Sequence, residues 1–342
     1  MTVEKLFLTV FKVPTGGFVG HTSGHPEILD IAKTRLINAK EKGAILGWHA
    51  LRCGDDLGII ISHRKDAHEL IWNVFGSCAE TSASLKLYGA DTLLERFRNS
   101  AFPCDLGQMG IGVAQIEFVE RQSEPFCIFM ADKAMCGAFN LPLYRIFADP
   151  FNTNGLLKDP LMTEGFTFTV IDRNEKKSAD FRLPQDTYDC LSVIGKTERY
   201  SVVKVTRNSD ALVSAVTSAP TENDPILIIR CEDGLPAAGE TIEPFAYPCL
   251  VRGYMRGAGN SPLMPVPFYE SNPVRADGPP RLIAAGFQLA NGRLIGPHDM
   301  FDDPGFDNAR QKALRINDYL GLHGGAHLNN GQIRGSVKKR FV

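Results

Sequence analysis

Cys53-Gly54-Asp55-Asp56-Leu57-Gly58-Ile59-Ile60-Ile61-Ser62 joins a tight acidic turn to an apolar, β-branched run. Residues 57–62 read as a strand, and residues 45–51 read as its partner, so the stretch predicts a strand pair closed by the turn at 53–56. The pattern recurs twice. Residues 125–130 run apolar into Ala131-Asp132-Lys133, and Asn223-Asp224-Pro225 leads into the apolar run 226–230. Carboxylates at the ends of buried strands are held rigidly and can converge from distant parts of a chain. Such a set of hard oxygen ligands suits Mg²⁺ or a similar cation. The other reading of each turn is an Asx turn, in which Asp bonds nearby backbone N–H groups.

Outward from these turns, strand-like and helix-like segments alternate. Residues 5–13 read as a first strand. The loop Gly16-Gly17-Phe18-Val19-Gly20 leads to a helix at 26–42, with Pro26 in its first turn and Gly43 at its end. A second helix is predicted at 67–87, strands at 111–120, 126–131, 166–172 and 199–207, and helices at 185–194 and 303–323. Stretches 253–267 and 272–280 are Gly- and Pro-rich loops of the kind that carry function. The pattern predicts one α/β domain with mixed sheets over residues 1–323 and a mobile tail at 324–342.

Composition narrows the function classes. A chain of 342 residues with net charge −2 gives no electrostatic argument for nucleic acid or an anionic membrane. No apolar stretch is long enough to span a bilayer, and the first residues lack the layout of a secretory signal. The eight cysteines include no Cys-x-x-Cys pair, so their spacing does not suggest a zinc site. They predict reduced, packed thiols in a cytoplasmic protein, with Cys53 alone beside an acidic turn.

Four constellations can carry chemistry. His21 ends the glycine loop, within reach of a central site, while His25 precedes Pro26 and reads as a helix cap. Asp55 and Asp56 in one tight turn form a pair of like charges that a cation would neutralise. Asp132-Lys133 sets a carboxylate beside an ammonium able to meet a phosphoryl oxygen; its other reading is a surface ion pair. Arg256, flanked by glycines, and Asp277, in Asp277-Gly278-Pro279-Pro280, lie in the late loops and either bind an anion or organise the loops.

At these residues the chain resembles the fructose-1,6-bisphosphate aldolase/phosphatase family, bifunctional gluconeogenic enzymes. The similarity runs to about Tyr319. It is carried by Val19-Gly20-His21-Thr22 with His25-Pro26, by Cys53-Gly54-Asp55-Asp56-Leu57, by Phe129-Met130-Ala131-Asp132-Lys133, by Asn140-Leu141-Pro142-Leu143-Tyr144, and by Asp277-Gly278-Pro279-Pro280-Arg281. The resemblance implies a layered α-β-β-α sandwich, an octamer, and a site for several Mg²⁺ (or Mn²⁺) ions. It implies His21, Asp55, Asp56, Asp132 and Asp224 as metal ligands, with Asp56 and Asp132 also acting in the chemical step. It places Lys133, Arg256 and Asp277 on the substrate, and Tyr88 in a neighbouring subunit's site.

The chain also departs from the family's pattern. Glu222-Asn223-Asp224-Pro225 stands where the family has Lys-Asp-Asp-Pro, so Glu222 replaces the lysine that forms the Schiff base. The loop before it is short. Pro14 replaces a metal-ligating aspartate, Asp91 is the nearest stand-in for a glutamine ligand, and Glu232 replaces a substrate-binding glutamine. Imine chemistry needs an amine with a lowered pKa in the pocket, and Lys204 is the only other lysine on a nearby strand. The expectation is therefore a divalent-metal-dependent enzyme that hydrolyses a phosphate ester of a sugar or related metabolite. The alternatives are a metal-dependent lyase, aldol-type enzyme or isomerase with Glu222 or Glu232 as general base, and a non-catalytic oligomer that binds a metabolite.

Overall fold

Strand alternation sorts the apolar side chains into three separate cores, and three cores require four layers. The computed structural model describes residues 5–217, 224–253, 259–275 and 278–322. In chain order its main elements are β1 (Lys5–Val13), α1 (Pro26–Glu41), β2 (Gly47–Cys53), β3 (Asp56–His63), α2 (His68–Ser84), α3 (Ala90–Arg98), β4 (Gly112–Val119), β5 (Glu124–Asp132), α4 (Asn140–Ala148), β6 (Phe166–Asp172), β7 (Lys177–Leu183), α5 (Thr187–Ile194), β8 (Tyr200–Arg207), β9 (Val213–Thr217), β10 (Ile226–Arg230), β11 (Met264–Pro265), β12 (Arg281–Ala290), β13 (Arg293–Asp299) and α6 (Asp307–Leu322).

The smaller sheet has the order β2-β3-β1-β4 and is antiparallel throughout. The larger has the order β11-β12-β5-β10-β9-β8-β6-β7, with β13 paired to β12. Only β11 runs parallel to its neighbour, so this sheet is mixed. Successive side chains on a strand point to opposite faces, and the cores follow that rule. Leu6, Leu8 and Val10 of β1 meet Phe126, Ile128 and Met130 of β5 between the two sheets. Phe11 and Val13 face the other way, onto Ile28, Leu36, Val74 and Phe75 of α1 and α2. Cys127, Phe129 and Ala131 of β5 face Leu143, Ile146 and Phe147 of α4, with Val193 of α5 in the same core. The order helix, sheet, sheet, helix is the expected α-β-β-α sandwich, within a single mixed α/β domain.

The helices start and stop where the local chemistry dictates. His25 caps α1 by accepting from the Glu27 N–H at 3.3 Å, as its place before Pro26 predicts. The expected helix at 303–323 begins with a 3-10 turn at Pro304–Phe306, and α6 follows. No helix among the described residues is long and apolar enough to cross a membrane. The expected tail, 324–342, lies outside the described residues. What matters for the site is one edge of the sandwich, where β1 and β5 end and β3, β4 and β10 begin.

Candidate active site

Lys12 is the residue that joins the two sheets at this edge. It follows Leu8 and Val10 on the inward face of β1, so its side chain enters the layer between the sheets. There its Nζ donates to the Ala131 carbonyl at 2.9 Å and lies 3.3 Å from Asp56 Oδ2 and 4.0 Å from Asp224 Oδ2. A lysine inside Phe7-Leu8-Thr9-Val10-Phe11-Lys12-Val13 was the sequence signal for it, and motif reading missed it. Asp56 opens β3 opposite Cys53, which leaves Gly54 and Asp55 as a two-residue connection. Gly54 has φ +65°, and a Cβ there would stand 2.0 Å from Asp132 Oδ1. Glycine thus lets the turn of one sheet lie flat against a carboxylate of the other.

The turn after β5 is equally specific. Lys133 is held at φ +61° and Asp224 at φ +57°, conformations that cost a non-glycine residue roughly 1–2 kcal/mol each. The two turns brace each other. The Asp224 N–H donates to the Ala134 carbonyl at 2.8 Å, and the Ala134 N–H donates to Asp224 Oδ1 at 3.2 Å. Lys133 Nζ then reaches Asp55 Oδ1 at 2.8 Å and Asp132 Oδ1 at 3.5 Å. His21 Nδ1 lies 2.7 Å from Asp55 Oδ2. The structure therefore brings His21, Asp55, Asp56, Asp132, Lys133 and Asp224 together.

Four carboxylates and two ammonium groups share this corner. Burial, and then the Asp224 and Asp56 charges, push the Asp132 carboxyl up to about 7 against the attraction of Lys133 and Lys12. Burial also raises Asp56, against Lys12. Asp55 goes the other way: burial would raise it, but the Lys133 charge and hydrogen bond and the His21 hydrogen bond hold it below the usual value. Burial pulls both lysines down, yet the surrounding carboxylates outweigh it and keep both above the ordinary lysine value. Among the described residues no three His, Cys, Asp or Glu side chains converge as metal ligands do. Ammonium groups stand between the carboxylates instead.

Above the cluster is a cavity of about 520 Å³ lined by Lys12, His21, Asp55, Asp56, Lys133 and Asp224. Tyr88, Gly89, Thr92, Leu93 and Arg96 line it as well, with Gly107, Gly110 and Gly112 at and before the start of β4. The glycine loop explains how Tyr88 arrives. Gly17 and Tyr88 exchange backbone hydrogen bonds at 3.2 and 2.8 Å, and a Cβ on Gly16 would stand 2.9 Å from the Tyr88 carbonyl. The exposed Tyr88 ring meets His21 edge-on, 4.7 Å between centroids. Within one chain Tyr88 thus borders its own pocket, where the resemblance assigns it to a neighbour's.

Glu232 is not brought to this corner. It follows β10 at the end opposite Asp224; the strand between them spans about 13 Å at the usual rise per residue. There its carboxylate accepts from the Ala238 N–H at 3.1 Å, at the start of the short helix Ala238–Ile242. Its expected place as a base or substrate contact is corrected on that ground. Lys204 is exposed on β8 and lines no part of the pocket. Cys53 is buried and its thiol is pushed up by that burial, so it packs as a neutral group. Asp91 is exposed at the start of α3 and is not among the residues lining the pocket. Glu222, Arg256 and Asp277 lie outside the described residues.

A family model described as fructose-1,6-bisphosphatase matches residues 5–332. A fructose-1,6-bisphosphate aldolase/phosphatase of Moorella thermoacetica is 45% identical over 332 residues, covering 93% of this chain and 86% of its own length. Proteins of the same name from Ignicoccus hospitalis and Methanothermobacter marburgensis are 43% and 42% identical, each over 94% of this chain and over 86% and 91% of their own lengths.

Proposed function

The chain belongs to the fructose-1,6-bisphosphatase family, and from that premise we propose that it is a divalent-metal-dependent phosphatase acting on a phosphorylated sugar. The observation that carries the reading is the mixed cluster of buried carboxylates and ammonium groups at the floor of a cavity of about 520 Å³. Lys12 and Lys133 are fixed cations, held protonated by their neighbours. They are placed to meet the oxygens of a phosphoryl group as charge develops on them.

The donor set suits a hard cation. It is built of aspartate oxygens with one imidazole, and it sets four carboxylates against two lysines. His21, Asp55, Asp56, Asp132 and Asp224 would hold Mg²⁺ or Mn²⁺. A bound ion of this kind neutralises phosphoryl oxygens and acidifies water. Asp132, buried at the end of β5 in the same corner, is the carboxylate we assign to the proton of an attacking water. In the step the ester P–O bond breaks, a new bond to the water oxygen forms, and the leaving alkoxide recovers a proton. His21, hydrogen-bonded to Asp55, keeps that carboxylate oriented.

The loss of Schiff-base aldolase chemistry is part of the proposal. An imine forms only on a neutral amine. The two lysines lining the described pocket are pushed the wrong way, and Glu222 stands at the position where the family's pattern has lysine. Phosphate release from a panel of sugar phosphates, with Mg²⁺ or Mn²⁺, tests the hydrolytic reading. Turnover should appear and fall on the order of a thousandfold in Asp56→Asn. No turnover on any substrate, with or without the substitution, would end it. Borohydride trapping with dihydroxyacetone phosphate tests the second part, and a stable adduct would restore the imine.

A further inference from the structure

We propose that Arg96 sets the specificity of this pocket. On this view its guanidinium binds the anionic group at the end of the substrate remote from the ester being cleaved, so that sugars carrying two phosphates are selected over those carrying one. The inference rests on the phosphatase reading and deepens it.

Arg96 lines the same cavity as the carboxylate cluster. Gly89, Thr92, Leu93 and Arg96 all line the pocket, and their three-, four- and seven-residue spacing is one face of a helix. The helix is anchored beside that face. Leu93 also packs into the outer core, and Phe97 lies over Gly76 of α2, where a Cβ would overlap the ring at 2.2 Å. The helix that carries Arg96 is therefore a fixed wall, and a group on a packed helix is positioned better than one on a loop.

Register gives the separation. Lys12 pairs with Gly112 at the start of β4. Gly110 lies two residues before that, beside Pro14, whose Cγ is 3.8 Å from where a Gly110 Cβ would be. Arg96 Nη1 is 3.1 Å from the same point. The guanidinium thus sits beside Pro14 and Gly110, each two residues along the chain from the Lys12–Gly112 pair. A cation set apart from Lys12 in this way can meet a second anionic group of the same small substrate.

Charge gives the role. Lys12 and Lys133 each pair with carboxylates, but among the described residues no ion pair engages Arg96. Arg96 is thus the cation lining the described pocket that has no carboxylate of its own. A planar guanidinium can hold a phosphate through two parallel N–H bonds, which suits it to a terminal group that stays bound and does not react.

Steady-state kinetics of Arg96→Ala and Arg96→Lys on fructose 1,6-bisphosphate and on fructose 1-phosphate test this. In Arg96→Ala, KM for the bisphosphate should rise tenfold or more, roughly the worth of a charged hydrogen-bonded contact. KM for the monophosphate and kcat on both should stay put, and lysine should restore part of the loss. Equal changes on the two substrates would make Arg96 a structural residue, and no change would make it a solvated charge; either result overturns the proposal. Wild-type protein inactive on both substrates would sink the phosphatase reading instead. Equilibrium binding of fructose 1,6-bisphosphate then still decides the role of Arg96: a tenfold weaker Kd in Arg96→Ala upholds it, and an unchanged Kd ends it.

Discussion

Strands β5 and β10 carry a buried ionic cluster at each end, and the two clusters are built on opposite principles. At one end Glu124, fully buried, accepts from Arg230 Nε at 3.1 Å and Nη2 at 2.9 Å, and from Arg121 Nη2 at 2.7 Å. Arg121 Nε also donates to Glu124 Oε2 at 3.2 Å, Arg121 donates further to the Glu232 and Cys231 carbonyls, and Arg230 lies over the Phe118 ring at 5.0 Å. One carboxylate is enclosed by two guanidinium forks. At the other end four carboxylates face two ammonium groups, two turns hold left-handed non-glycine residues, and the cluster opens on a cavity. The first arrangement saturates its donors and acceptors and holds the chain in place. The second keeps unfavourable charge and strained backbone, features that gather where binding or chemistry happens.

The sharpest way to break that contrast is a pair of isosteric substitutions. Asp132→Asn should lower phosphate release on the order of a thousandfold. It removes one of several crowded like charges, so the melting temperature should hold or rise. Glu124→Gln should do the reverse, because it leaves the buried Arg230 and the partly buried Arg121 facing a neutral amide. Stability should fall by about 3–5 kcal/mol in a denaturant titration, with kcat of the folded enzyme unchanged. A stability loss at Asp132 that matches the loss at Glu124 would show that the two ends do not differ in kind.

The contrast was only half visible in the sequence. Asp55, Asp56, Asp132 and Asp224 were legible because each abuts an apolar run, and a carboxylate at such a junction is a local signal. Lys12 was equally local, one charge inside an apolar strand, but it belongs to no motif and its partners lie 44, 119 and 212 residues away along the chain. Arg96 was hidden differently. Its helix is short, and its spacing to Gly89, Thr92 and Leu93 means something only once a cavity is known. The hairpin of β12 and β13 turns on Asn291-Gly292, both at positive φ, a signal that residue-level reading could have used. Glu232 misled because it is acidic and follows the right strand, yet it follows the wrong end. The four layers came from resemblance, since alternation gives each strand two faces without naming what covers them.

Gly54→Ala sharpens the contrast at the point where the sheets touch. The added Cβ would meet Asp132 Oδ1 at 2.0 Å, and φ is +65°. The backbone cost is roughly 1–2 kcal/mol, a modest loss in a thermal melt. The expected change in activity is larger than that loss implies, because the carboxylate must move. Full activity in Gly54→Ala would mean that the position of Asp132 is not critical.

A third ion pair, between Arg199 and Asp172, tests whether closure or burial makes the Glu124 cluster stabilising. Asp172 is buried, while its partner Arg199 is about a third exposed at 32%. Burial would raise Asp172, but the Arg199 hydrogen bond and the N–H groups of Asn174 and Glu175 outweigh it, so the carboxyl lies below its usual 3.8. A carboxylate with a depressed folded pKa stabilises the fold above its unfolded pKa. That stabilisation disappears as pH falls from about 3.8 through the folded value. Asp172→Asn should therefore cost about 1–2 kcal/mol near pH 7, less than Glu124→Gln. The gap between variant and wild type should narrow as the pH falls below 3.8 through the folded value. A gap that persisted in acid would assign the effect to packing and not to charge. A cost at pH 7 as large as that of Glu124→Gln would mean that solvent access to Arg199 hardly weakens the pair, and that closure counts for more than depth.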